Sequence, residues 1–251
     1  TFFHFLDSHD GIGLRGARGI LQAGEIDRRC RRVEAHGGLI SHKTAEDGSV
    51  VPYELNITWY SALNNKRDGD PLHVQIRRFI ASRAIALVLQ GVPGIYLHSL
   101  FGTHNDHAAL EATREKRGIN RAIVDCRSLM RSMRHPGSKK SRINASLGKM
   151  IQCRTRHRAF HPNGPQRILS LSSRVFAVLR TTPEGGDCVV ALTNVSRSRC
   201  RVRLPAGELR EWGEKWRDLL SGKEYRARQG SLPIVLRAYD VIWLAPCGRS
   251  K

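Results

Sequence analysis

Two residues with complementary chemistry stand side by side near the start of the chain, His9 and Asp10. An imidazole can donate or accept a hydrogen bond, and a carboxylate can steady a positive charge that develops on a bound molecule. They follow the apolar run Phe2-Phe3-His4-Phe5-Leu6 and precede Gly11 and Gly13. A buried strand that stops on polar residues and glycines carries them to its carboxyl end, which is where a β/α barrel builds its sites. The plainer readings are Asp10 as a cap and His9 as a satisfied buried side chain. Spacing alone leaves both readings open.

Other residues could do chemistry in principle. Gly11-Ile12-Gly13-Leu14-Arg15-Gly16 fits the G-x-G-x-x-G spacing that lets a dinucleotide pyrophosphate approach a helix N-terminus. Ser8, His9 and Asp10 intervene, however, placing a carboxylate where the phosphate should go, and residues 38–53 are too polar for the second strand of that motif. Arg114, Lys116, Arg117 and Arg121 share one polar stretch. Guanidinium groups bind phosphate or carboxylate by paired donors, although a solvated basic loop is the simpler account. His98, His104, Asp106 and His107 are too loosely spaced for zinc, so no metal is expected. His157 and His161 are expected at a solvated surface. The six cysteines form no C-x-x-C and are expected as free thiols in a reducing, cytoplasmic compartment.

The elements that must position these residues follow from pattern. Residues 2–7 read as a buried strand and 24–35 as a helix with Ile26, Cys30 and Val33 on one face. Residues 36–55, rich in Gly, Ser, Asp and Lys, read as an excursion loop. A helix over 71–90 is expected from Pro71, Gly91 and the spacing of Leu72, Ile76, Ile80, Ala84 and Leu87. A second buried strand is expected over 91–98, a polar stretch over 102–123 and a helix near 143–160. Pro162-Asn163-Gly164-Pro165 marks a boundary. Strand-like runs follow at 167–172, 175–181, 188–195, 199–204, 232–236 and 239–245, with Arg197-Ser198 expected in a hairpin turn.

Composition narrows the class. The formal net charge of +20 suits a polyanion partner, but the arginines are spread through every segment with few interleaved aromatics. Nucleic acid is therefore not expected as a partner. Hydrophobic residues make up 40%, enough for a core, and no apolar run of about 18 residues is present, so no membrane partner is expected. The chain opens on Thr1 with a strand under way and is expected to be part of a longer protein.

Several segments together resemble the sucrose phosphorylase and glucosylglycerate phosphorylase group of the α-amylase superfamily, glycoside hydrolase family 13. Phe5-Leu6-Asp7-Ser8-His9-Asp10-Gly11-Ile12-Gly13-Leu14 is similar to its seventh-strand motif. Pro52-Tyr53-Glu54-Leu55-Asn56-Ile57-Thr58-Trp59-Tyr60-Ser61-Ala62-Leu63 is similar to the specificity loop that follows. Gly91-Val92-Pro93-Gly94-Ile95-Tyr96 and Gly102-Thr103-His104-Asn105-Asp106 resemble its eighth strand and loop, and Ile119-Asn120-Arg121 a short downstream motif. The likeness covers about residues 2–160. Gly16-Ala17-Arg18-Gly19 departs from it, since the family more often has Pro and an acidic residue there.

The resemblance implies an α/β fold: the C-terminal part of a (β/α)8 barrel over 1–161, then a small antiparallel β-sandwich over 166–248. It implies Asp10 as transition-state stabiliser and His9, Tyr53, Glu54, Asn105, Asp106 and Arg121 as substrate-binding residues. The nucleophile Asp and the acid/base Glu would precede residue 1, leaving this chain inactive alone. The implied reaction is retaining phosphorolysis of an α-glucoside, with inorganic phosphate as co-substrate, no cofactor and a small sugar as partner. Pro52-Tyr53-Glu54-Leu55-Asn56 and His98-Ser99-Leu100 look closer to the glucosylglycerate or sucrose 6-phosphate branches. The alternatives are a hydrolase or transglucosidase of the same superfamily, or a non-catalytic carbohydrate- or polyanion-binding module.

Overall fold

The structure is a computed structural model that describes residues 1–205, 212–228 and 230–247. In chain order it runs β1 (Phe3–Phe5), β2 (Ile12–Gly13), α1 (Ala23–Ala35), β3 (Leu39–Thr44), β4 (Val50–Asn56), α2 (Trp59–Leu63), α3 (Leu72–Val88), β5 (Val92–Gly94), α4 (His107–Thr113), α5 (Cys126–Arg134) and α6 (Lys139–Arg156). Then come β6 (Gln166–Ile168), β7 (Val175–Thr181), β8 (Cys188–Asn194), β9 (Cys200–Pro205), β10 (Lys215–Asp218), β11 (Glu224–Arg226), β12 (Ser231–Leu236) and β13 (Val241–Pro246). Short 3-10 turns include 97–100, 116–120 and 158–160. Two compact units result: one from residues 1–4, 76–93 and 145–251, the other from 5–75 and 94–144. Among the described residues no helix is long and apolar enough to cross a membrane.

The first unit is built on an antiparallel six-stranded sheet of order β11-β10-β13-β8-β7-β6, with a separate antiparallel pair β12-β9. Alternation explains their common core. Along β9, Cys200, Val202 and Leu204 turn inward while Arg201 and Arg203 face out, and Leu232, Ile234 and Leu236 of β12 do the same. These side chains pack with Val190 and Leu192 of β8, Leu244 of β13 and Trp216 of β10. Strand β8 is buried along its whole length. The other face of the six-stranded sheet meets the 158–160 turn, where the Phe160 ring lies 5.0 Å from that of Trp243. The carboxyl end of α3 is tied to β7 by Arg180, which donates to the Val88 carbonyl at 2.8 Å. Its earlier turns carry Arg78, which donates to the Tyr239 hydroxyl at 3.2 Å.

The second unit carries the three-stranded sheet β2-β4-β3. Leu14, Val33, Ile40, Leu55 and Ile57 form its core, with Ile12, Ile26 and Cys30 packed at the edge. A capping box between Gln22 and Glu25 starts α1, and its Ile26, Cys30 and Val33 face this core as the spacing predicts. Asp106 caps α4 and Asp125 caps α5.

Several expectations are corrected. Residues 39–56 are no loop: β3 and β4 form a hairpin closed at Asp47-Gly48, where Gly48 has φ +80°. A half-buried hairpin shows alternation rather than an apolar run, so its composition misleads. Strand β1 is short and open, with Phe2 and Phe3 72% and 67% exposed, and among the described residues it pairs only with β5, in a two-stranded sheet. Strand β5 is also only three residues long and half open. The helix expected near 143–160 begins at Lys139, where the Ser138 hydroxyl accepts from the Ser141 N–H, and ends at Arg156. Arg197-Ser198 closes no hairpin, since β8 pairs with β7 and β13 whereas β9 pairs with β12. His157 is largely buried against Phe160 rather than solvated. Residues 206–211, 229 and 248 of the expected β domain lie outside the described residues.

Candidate functional site

Asp10 sits on a tight turn after β1. The Ser8 N–H donates to the Gly11 carbonyl at 3.0 Å and the Gly11 N–H to the Ser8 carbonyl at 3.1 Å. The Ser8 hydroxyl accepts from the Asp10 N–H at 3.1 Å. Gly11 has φ +115°, and a Cβ there would stand 2.3 Å from the Leu55 carbonyl oxygen. Only glycine lets this turn press on β4. Gly13 and Gly16 meet no such neighbour. The spacing of the three glycines therefore reflects one close approach, not a cradle for pyrophosphate.

Three cationic or potentially cationic side chains converge on one oxygen of Asp10. His9 Nε2 is 3.2 Å from Oδ1, Arg117 Nη1 3.1 Å and Arg121 Nη2 3.0 Å. Arg121 also donates from Nε to the His9 carbonyl at 3.1 Å, gripping both residues of the pair. Oδ2 has no partner among the described residues, and the Asp10 side chain is 30% exposed. The carboxylate is thus oriented through one oxygen and open to a donor at the other.

Beneath it lies a second carboxylate. Glu54, buried on β4, accepts from Arg117 Nε at 3.1 Å and from Asn56 Nδ2 at 3.0 Å. Asn56 Nδ2 also donates to the Asp10 carbonyl at 3.1 Å, and the Ser41 hydroxyl donates to Asn56 Oδ1 at 2.6 Å. Period-2 alternation puts Glu54 and Asn56 on one face of β4 and Leu55 in the core. The hydrogen bond to Glu54, then the nearby charges of Glu54 and Asp10, hold the Arg117 proton more tightly than usual. Arg117 therefore bridges the two carboxylates.

The network gathers His9, Asp10, Glu54 and Arg121. Tyr53 is placed differently. Ser41 faces Glu54 and His42 faces Pro52, so Tyr53 is the extra residue of a β-bulge, with the Lys43 ammonium 5.7 Å from its ring centre. Asn105 serves another network: its Oδ1 accepts from the Thr58 N–H at 3.0 Å, and its Nδ2 donates to the Gly37 carbonyl at 3.1 Å. Asp106 accepts from the Ala109 N–H at 2.9 Å as the cap of α4. Sequence reasoning passed over Arg117 as an individual, along with Asn56 and Asn120. The signal for Asn56 was available, because it stands two residues from Glu54 on the same strand. Asn120 is 1% exposed, and neither side-chain polar atom has a hydrogen-bond partner among the described residues.

Around this network, burial pushes the Tyr96 phenol up and the His98 imidazole down. The Tyr96 hydroxyl donates to the Asn120 carbonyl at 3.0 Å, fixing the 116–120 turn that presents Arg117 and Arg121. Among the described residues no cluster of His, Cys, Asp and Glu is arranged to hold a metal.

No protein-family model matches the chain. It is 38% identical over 251 residues to the glucosylglycerate phosphorylase of Spirochaeta thermophila, covering 98% of this chain and 42% of that protein. It is 43% identical over 244 residues to the glucosylglycerate phosphorylase of Allomeiothermus silvanus, covering 97% and 40%. Among solved structures, sucrose 6F-phosphate phosphorylase from Thermoanaerobacter thermosaccharolyticum matches with a TM-score of 0.62 and 20% identity over 93% of this chain and 41% of that one. Solved α-amylases share the fold. The chain spans about two fifths of the length of the relatives it matches.

Proposed function

We propose, on the premise that the chain is homologous to the glucosylglycerate and sucrose phosphorylases of the α-amylase superfamily, that it is the carboxyl-terminal part of a retaining α-glucoside phosphorylase. In this reading residues 1–161 complete a (β/α)8 barrel and 166–248 form a β-sandwich. The core shared by the two antiparallel sheets supports the second assignment, and the open faces of Phe2 and Phe3 support the first.

The whole enzyme would use an upstream Asp as nucleophile and an upstream Glu as acid/base in a double displacement. The nucleophile would displace glycerate, the favoured aglycone, which leaves with the proton from the acid/base, and inorganic phosphate would then take the glucosyl group off the enzyme as α-glucose 1-phosphate. The observation that carries the reading is Asp10, held through Oδ1 and with no partner at Oδ2 among the described residues. Oδ2 would accept from a glucosyl hydroxyl and place negative charge beside the oxocarbenium-like transition state. His9 would contact the same sugar ring, Arg121 would supply the cationic site for phosphate, and Tyr53 and Glu54 would border the acceptor and phosphate side. Asn105 and Asp106 would act by holding the loop that follows β5. A cytoplasmic location fits six free cysteines.

The test pairs two proteins. The full-length protein, given glucosylglycerate and phosphate, should release glucose 1-phosphate, and sucrose or sucrose 6-phosphate should react more slowly. Residues 1–251 alone should release none from any of the three. Turnover by the short chain would refute the division of labour.

A further inference from the structure

In the unit built from residues 1–4, 76–93 and 145–251, a cleft of about 370 Å³ opens beside the carboxyl end of α6. Its lining is basic: Arg154, Arg156 and Arg158 line it beside the imidazoles of His157 and His161, with Glu184 as the acid among them. Such a volume matches a small-molecule site. His157 Nε2 is turned to Asp187 at 3.7 Å, so the arginines are the groups left to a ligand.

Arg154 is the informative residue. It is 9% exposed and lies over the Phe160 ring at 5.6 Å. Its terminal nitrogens donate to the Leu87 carbonyl and, at 2.6 Å, to the Gly91 carbonyl. Its Nε–H donates to nothing among the described residues. Arg180 is buried with it and held by the carbonyls of Val88, Gly164, His161 and Pro165. Neither guanidinium pairs with a carboxylate among the described residues. Burial draws both down to about 10, and the Arg154 charge adds to the effect on Arg180. The α3 carboxyl end supplies partial negative charge but no full counter-charge. A buried cation without an anion is costly, and an incoming anion relieves it.

We propose that this cleft binds the phosphate group of a small phosphorylated molecule, with Arg154 as the buried anchor and Arg156 and Arg158 as the exposed arms. Arg156 and Arg158 can present planar guanidinium forks that match phosphate oxygens, whereas Arg154, its terminal nitrogens held by the Leu87 and Gly91 carbonyls, offers its Nε–H. The aromatic and proline walls, Phe160, Pro93 and Pro162, suit a compact body attached to that group.

Equilibrium dialysis of the full-length protein against radiolabelled inorganic phosphate, at fixed ionic strength, tests this. Saturable binding is expected to survive Arg121→Gln, which touches only the network around Asp10. It should weaken about tenfold in the doubly exposed variant Arg156→Gln/Arg158→Gln, a change that leaves the buried arginines in place. The Arg154 Nε–Hε resonance should move with the same saturation curve. Competition by glucose 1-phosphate below the concentration needed for phosphate assigns a monoester, and the reverse order assigns the free ion. Binding lost in Arg121→Gln alone, binding matched by chloride, or an Arg154 resonance that does not move would overturn the proposal.

Discussion

Asp10 owes its orientation to neighbours that leave its outer oxygen open. Removing its charge while keeping its shape should therefore hurt the reaction more than the fold. If the full-length protein is the proposed phosphorylase, Asp10→Asn in it should cut kcat by about 10²–10³-fold with little change in melting temperature, read from initial rates of glucose 1-phosphate release. Arg117 has the opposite character. Arg117→Leu leaves Glu54 buried without its cation and should destabilise the protein by about 2 kcal/mol. Adding Glu54→Gln should restore part of that loss, so a double-mutant cycle read by urea unfolding should show clear coupling. At this scale the His9-Asp10 pair and Arg121 were legible as motif. Arg117 was not, because four basic residues share its stretch and only the 116–120 turn decides which of them points at Asp10.

Elements set the accuracy of that placement. Gly11 is the hinge between the Asp10 turn and β4, so Gly11→Ala should cost about 2–4 kcal/mol from backbone strain and collision with the Leu55 carbonyl. Gly13→Ala, with open space around it, should be close to neutral; thermal melts of the two variants make the comparison. The long helix α3 was legible because Pro71 and the apolar spacing agree. The β3–β4 hairpin was hidden by its polar outer face, although Asp47-Gly48 was a readable turn signal. Strands β10 and β11 escaped because each is only three or four residues long and offers no periodicity to count.

The whole molecule adds a pH dependence. Burial depresses His98 in one unit and His157 in the other below the ordinary imidazole value of 6.5. The unfolded chain then binds more protons than the folded one in mildly acidic solution. The stability these groups contribute is fully present above pH 6.5 and is lost as pH falls from there toward their folded values. Melting temperature should drop between pH 7 and pH 5, and His98→Gln should flatten the drop. The net charge of +20 pushes the same way, since further protonation adds to self-repulsion. The division into two units could not be read from the sequence, because each unit gathers segments far apart in the chain and no single breaker marks it.

The order of the six-stranded sheet has a consequence for how the chain is made. Strand β13, the last in sequence, lies between β10 and β8 in the interior of that sheet. While the ribosome is still translating, β8 and β10 have no neighbour on the sides that will face each other. The sheet can be zipped only after residue 246 has left the exit tunnel, so its centre is completed by the strand made after all its neighbours. A chain cut before Val241 would lose a central plank, not a frayed end.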